Sequence, residues 1–221
     1  LDALHNRERT RGELEADLAG LAQRLSIKGE ELSARRRAAA GELQRAMERE
    51  LAELAMPHAV FEVSFEPFPE PRATGLERIE FLFSPNPGEA PRPLARIASG
   101  GELSRLMLAL KQLHPESDVP TLVFDEVDTG IGGATSARVG EKLRRVARRQ
   151  QVLCITHLPQ VAAFADQHLR VEKRVEDGRT STVVVPLEEE GRVAEMARML
   201  GGVKITDRTL AHAREMIAEA R

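Results

Sequence analysis

The sequence predicts an α/β fold: a lobe with mainly parallel core strands, entered through one long helix. Three observations carry this. Residues 1–55 form a proline-free stretch rich in Leu, Ala, Glu and Arg. Two short runs, Thr121–Phe124 and Gln151–Thr156, are too continuously apolar to be half-exposed strands. Such runs read as strands buried on both faces, as in parallel sheets. Between them Ala134 to Gln150 has a helical pattern.

Composition narrows the class. The chain has 221 residues, 30% charged and 42% hydrophobic, with a formal net charge of -3. That length suits one large or two modest domains. No apolar run approaches the roughly 18 residues of a membrane span, and no basic-then-apolar signal opens the chain. One cysteine, Cys154, excludes an internal disulfide framework and suits a reducing cytoplasm. Without Trp or Tyr, and with seven Phe, stacking of single-stranded bases on aromatic platforms is disfavoured. The net acidity argues against a uniformly DNA-coating protein and leaves local basic patches open. The first residue is Leu1, in mid-pattern, so a longer parent chain is expected.

In the first stretch Leu4, Leu14, Leu18, Leu21, Leu25 and Leu32 keep a three-four spacing. After Ala39 the seam slips to Leu43, Met47, Leu51 and Leu54, a stutter that locally unwinds a supercoil. A helix of about 45 residues spans about 70 Å, and its apolar stripe needs a partner helix. Residues 1–56 are therefore expected to be a coiled-coil arm, with breaks allowed at Gly12, Gly20, Gly29 and Gly41. Pro57 is expected to end the helix, and residues 57–221 to form the globular lobe.

Ala59 to Glu66 alternates with period two and reads as a half-buried strand. Pro67, Pro69 and Pro71 suggest an irregular connection, followed by an antiparallel strand from Leu76 to Ser84. Pro91 and Pro93 hold the chain extended to Leu94. A helix then starts after Ser99, with Leu103, Leu106, Met107, Leu110 and Leu113 on one face. The helix after residue 133 carries Arg138, Lys142, Arg144, Arg145, Arg148 and Arg149, a basic stripe that reads as a solvated face or a DNA contact. Further on lie a short helix from Leu158 to Asp166 and strands 168–175 and 180–187 around a turn at 176–179. A helix from Val193 to Leu200 closed by Gly201-Gly202 and a last helix capped at Thr206 or Asp207 complete the chain.

Three short signals could carry chemistry. Ser99-Gly100-Gly101-Glu102 opens a helix, where free N–H groups and the helix dipole favour an anion; an ordinary serine N-cap is the alternative. Asp125-Glu126 follows a buried strand and should emerge at its C-terminal end, the ligand edge of open α/β sheets; a solvated acidic turn is the alternative. His157 just past the next strand shares that edge if the two strands are neighbours. Cys154 reads as a small buried apolar residue.

Ser99 and Asp125 are 26 residues apart, Glu126 and His157 31. In this order and spacing the three signals resemble the second half of an ABC-type ATPase. IASGGELSR resembles the signature motif, TLVFDE the Walker B strand, DTGIGG the D-loop and ITHLPQ the switch-histidine loop. The preceding coiled coil resembles the SMC-like branch rather than transporters. SPNPGE, THLPQVAAFAD and ARMLGG add a likeness to its bacterial DNA-repair members, from about Met56 onward.

The resemblance implies a C-terminal lobe of an ABC/SMC-type P-loop ATPase head, with ATP and Mg2+ as cofactors. Asp125 would hold magnesium through a water, Glu126 would orient or deprotonate the attacking water, and His157 would contact the γ-phosphate. Ser99, Gly100, Gly101 and Glu102 would bind, in trans, a nucleotide held by a second head, giving an ATP-sandwiched homodimer. Asp128, in the D-loop, would help connect the two sites. Ala98 and Gly132 depart from the family pattern, where leucine and a second aspartate are usual.

The implied role is DNA double-strand-break repair in the cytoplasm, at the nucleoid, with DNA as partner and no membrane. No G-x-x-x-x-G-K-[ST] loop occurs, so nothing cradles the α- and β-phosphates. An N-terminal Walker A lobe of the same protein is therefore expected as partner, and the chain alone is expected to be inactive. The rival readings are a non-hydrolysing coiled-coil scaffold and another ABC-class ATPase subunit.

Overall fold

The computed structural model describes residues 2–97, 99–114, 119–176, 179–201 and 205–220. Ala98, the centre of the 176–179 turn and Gly202 lie outside them.

Helix α1 runs unbroken from Asp2 to Glu53. Its glycines do not interrupt it. At Gly29 a Cβ would lie 2.7 Å from the Leu76 side chain, so the missing side chain lets a β-hairpin lie against the helix. Beside it Ser33 donates to the buried Glu77, Arg37 pairs with Glu77 at 3.2 Å, and Arg36 donates to the Thr74 carbonyl at 2.8 Å. The helix ends before Pro57 acts: Ala55 is left-handed with φ 63°, and the Met56 N–H returns to the Leu51 carbonyl at 3.0 Å.

That hairpin is β1 (Val60–Arg72) and β2 (Gly75–Ser84), with β3 (Arg92–Pro93) on the far side of β2. The expected irregular connection at Pro67, Pro69 and Pro71 is instead part of β1, whose register shifts between Pro67 and Arg72. As an edge strand β1 has one side with no ladder to donate to, and a bulge there tolerates proline.

Helix α2 (Gly100–Leu113), β4 (Thr121–Phe124), α3 (Ala134–Ala147) and β5 (Gln151–Cys154) make the centre. β4 and β5 pair in parallel, and parallel pairing among the described residues is confined to them. Leu122, Phe124, Val152 and Cys154 face the main core, which Met47, Leu51, Leu54, Phe61, Phe83, Leu106, Leu108 and Val139 build. Ala40, Met47 and Leu51 of α1, with Leu54 just after it, thus lie in the same core as the lobe. The strands are not covered on both faces as expected: Val123 is 64% exposed, and Leu153 and Ile155 are exposed beside it. Among the described residues only one layer packs on this pair.

The rest forms a second unit. The helix expected from Leu158 to Asp166 is a single turn, α4 (Pro159–Ala162). The hairpin β6 (His168–Glu176) and β7 (Arg179–Leu187) leads to α5 (Glu189–Gly201) and α6 (Asp207–Glu219). Thr206 caps α6 with a capping box, and Val193, Met196, Ala197, Ala213 and Ile217 close a small core with α4.

Candidate functional site

The parallel register of β4 and β5, from Thr121–Gln151 to Phe124–Cys154, brings the residues just beyond the two strands to one edge. The Ile155 N–H still donates to the Phe124 carbonyl at 2.9 Å. Asp125 and Glu126 therefore emerge beside Thr156 and His157.

Asp125 and Glu126 are both exposed. The Asp125 carbonyl accepts from the Ser104 hydroxyl at 2.7 Å, which ties the strand end to α2. Glu126 has a left-handed backbone, φ 57°, a conformation that costs a residue with a Cβ about 1–2 kcal/mol. Its carbonyl accepts the Thr129 N–H at 3.0 Å, closing a turn. This turn aims Glu126 at the start of α2. A Cβ on Gly100 would overlap the Glu126 carboxylate, and one on Gly101 would lie 2.9 Å from the Glu126 carbonyl oxygen. The two glycines are there because the acidic turn sits against them.

Ser99 is the N-cap of α2: its Oγ accepts the Glu102 N–H at 3.3 Å. The N–H groups of Gly100 and Gly101 stand in the first turn, where the helix ladder leaves donors over. Asp128, in contrast, is buried, 2% exposed. Its Oδ2 accepts from the Thr156 hydroxyl and from the His157 N–H at 3.1 Å, and lies 3.3 Å from His157 Nδ1. The sequence-predicted residues therefore form two groups on one edge. Gly100 and Gly101, between Ser99 and Glu102 at the start of α2, meet Glu126, while Asp128 meets His157.

Three supporting residues are not singled out by the sequence motifs. Besides Ser104 and Thr156 there is Arg105, buried on α2, which donates to the Thr129 carbonyl at 2.9 Å and the Val127 carbonyl at 3.4 Å. Burial pulls its guanidinium down from the ordinary value, and nearby Glu102 opposes that. The signal for Ser104 and Arg105 is their place directly after SGGEL, one helical turn from the glycines. Cys154 is an unreactive filler, as its mid-strand place suggests: burial, then Asp128 and Asp125, push its thiol up to about 12.

Among the described residues no three His, Cys, Asp or Glu side chains form a metal cluster. Asp125 offers one exposed carboxylate. That suits Mg2+, which keeps waters and takes one or two carboxylates plus substrate phosphates, and does not suit a closed zinc-type site. Three of the six cations of the basic stripe are engaged: Lys142 is buried between Glu50 and Glu53, Arg144 donates to the Ala220 carbonyl, and Arg145 pairs with Glu141.

No family model matches the chain. It is 38% identical over 236 residues to the DNA repair protein RecN of Bacillus subtilis, covering the whole chain and 41% of that protein. To the DNA repair protein RecN of Deinococcus radiodurans it is 46% identical over 218 residues, covering 99% of the chain and 38% of that protein. The chain thus spans about two fifths of the length of these relatives. In structure it is similar to the Smc head domain with a coiled coil and joint from Pyrococcus yayanosii. There the TM-score is 0.57 at 22% identity, over 86% of this chain and 35% of that one. A Smc head domain with an extended coiled coil from Pyrococcus furiosus gives 0.51 at 23% identity, over 86% of this chain and 46% of that one. No described helix is long and apolar enough to cross a membrane. By sequence the chain is homologous to RecN proteins over nearly its whole length, and it has the α/β fold of an SMC-type head lobe entered by a long helix.

Proposed function

We infer that the chain is half of an ATP-binding and ATP-hydrolysing head, part of a cytoplasmic, nucleoid-associated SMC-like protein of DNA double-strand-break repair. Residues 57–221 serve as the head lobe and residues 1–56 as the arm, although the arm's last turns pack into the lobe core. The observation that carries the reading is the convergence of Asp125, Glu126 and His157 on one strand edge, with the SGGE helix start against Glu126.

Phosphoryl transfer is mostly positioning and charge stabilisation, so these residues need reach more than reactivity. Asp125 would hold the magnesium ion, which neutralises charge on the β- and γ-phosphates when bound. Glu126 would orient the attacking water or accept its proton. His157 would meet the γ-phosphate. Ser99, Gly100, Gly101 and Glu102 would offer first-turn N–H groups to the nucleotide of a second head, forming an ATP-sandwiched homodimer. DNA is the eventual partner. The α- and β-phosphates would be held by a Walker A lobe of the same protein.

In the full-length protein Glu126→Gln should leave dimerisation by a non-hydrolysable ATP analogue intact and reduce turnover by at least about 100-fold. Analytical ultracentrifugation and phosphate release check this. A protein whose association state ignores ATP, or whose turnover survives the substitution, is not this kind of ATPase.

A further inference from the structure

Val127 is fully buried and draws the next residue inward, so the Asp128 side chain is 2% exposed. A carboxylate so deep in the lobe needs partners. Asp128 finds them in the segment just past β5. Oδ2 accepts hydrogen bonds from the Thr156 hydroxyl and the His157 backbone N–H, and His157 Nδ1 faces it at 3.3 Å. Thr156 Oγ1 in turn accepts the Leu158 N–H at 3.0 Å. The loop is thus tied down on both sides of the histidine, while the imidazole itself is 71% exposed.

An exposed imidazole turns freely and exchanges between two neutral tautomers. A fixed carboxylate facing one nitrogen removes both freedoms, because it holds a proton on that nitrogen and sets the ring plane. We propose that Asp128 is a positioning residue for His157, its buried carboxylate holding Nδ1–H so that Nε2 is the nitrogen presented to the nucleotide. This rests on the reading of His157 as a γ-phosphate contact. A phosphate oxygen at Nε2 needs a donor, so the ring that serves it carries a proton on each nitrogen. The Asp128 carboxylate is then the counter-ion that faces the charged ring. The role is exercised within one chain. It differs from the contact between two heads that the D-loop resemblance implies, because the carboxylate is already turned inward.

The experiment uses the full-length protein labelled with 15N-histidine, the His157 signals being identified by their loss in His157→Gln. Without nucleotide, His157 should be the Nδ1-protonated tautomer. Asp128→Ala should shift it toward the Nε2-protonated form and lower kcat about 10- to 100-fold, with KM for ATP within about twofold. Asp128→Asn keeps an acceptor oxygen and should recover the tautomer. Thr156→Val removes the other side-chain donor to the same oxygen; it should reduce stability and leave the tautomer alone. A wild-type His157 protonated mainly on Nε2 overturns the proposal without any variant. So does an Asp128→Ala protein with the wild-type tautomer, or a Thr156→Val protein that loses as much turnover as Asp128→Ala. Wild-type turnover in His157→Gln would instead sink the functional reading beneath it, whatever the tautomer.

Discussion

A methyl group at Gly100 and one at Gly101 should have opposite consequences. At Gly100 the new Cβ meets the carboxylate end of Glu126, which is exposed and free to swing aside. At Gly101 it meets the Glu126 carbonyl at 2.9 Å, and that carbonyl is fixed in the turn by the Thr129 N–H. Gly100→Ala should therefore change stability by less than about 1 kcal/mol and cut ATP turnover about tenfold or more, because the carboxylate is displaced. Gly101→Ala should cost about 1–3 kcal/mol, as overpacking against backbone does. Urea unfolding and steady-state ATPase rates of the full-length variants separate the two. Equal losses of stability would mean that the acidic turn does not rest on α2 as described.

Between elements, the junction of arm and lobe rests on one buried cation. Lys142 of α3 is 4% exposed, with Nζ 2.6 Å from Glu50 and 2.7 Å from Glu53, both on α1. The two ends of this cluster are unequal. Removing the lysine leaves carboxylates that can rehydrate, so Lys142→Met should stay within about 1 kcal/mol of wild type. Replacing both Glu50 and Glu53 by alanine strands a buried ammonium and should cost about 3–5 kcal/mol. The hydrogen bond and charge of Lys142 hold the Glu53 carboxyl below its ordinary value of 4.5. A depressed carboxylate stabilises above its unfolded pKa, and that stability is lost as pH falls through the folded one. The arm should therefore loosen below about pH 4.5 in wild type and show less of this acid sensitivity in Lys142→Met, as followed by urea midpoints across pH. None of these partners was legible in the sequence, where Lys142 looked like one of six cations on a solvated stripe; its acids lie about 90 residues upstream. Local patterns were better guides. The seam slip after Ala39 falls where α1 changes from exposed leucines to the buried Met47 and Leu51. The period-two run from Ala59 became a strand because its pattern records burial; the two apolar runs became strands too, although Val123 and Leu153 in them are exposed. The prolines misled, since whether a strand tolerates them depends on its place in the sheet. The edge shared by Asp125, Glu126 and His157 was legible; the inward turn of Asp128 was not, because loop direction follows from tertiary contacts.

For the molecule as a whole, the unusual feature is apolar sheet left uncovered. Val123, Leu153 and Ile155 are exposed on one face of β4–β5, and Leu169, Val171, Val175 and Val184 on one face of β6–β7. Parallel sheets are ordinarily covered on both faces, and large apolar patches mark places where another surface belongs. The relatives supply room for one, since the chain spans about two fifths of their length. A lobe bringing the phosphate-cradling loop would cover such faces and complete the site in one step, so burial and activity should appear together. The chain purified alone should bind a hydrophobic dye such as ANS, self-associate as concentration rises, and release no phosphate from ATP. Co-expressed with the Walker A lobe that the proposed function calls for, it should lose dye binding and gain turnover that Glu126→Gln removes. The order of effects is informative. Lost dye binding without turnover would mean that the lobe docks but Asp125 and Glu126 do not form the catalytic edge. Turnover by the isolated chain, abolished by Glu126→Gln, would mean that these 221 residues hold a whole site and that the missing-lobe reading is wrong.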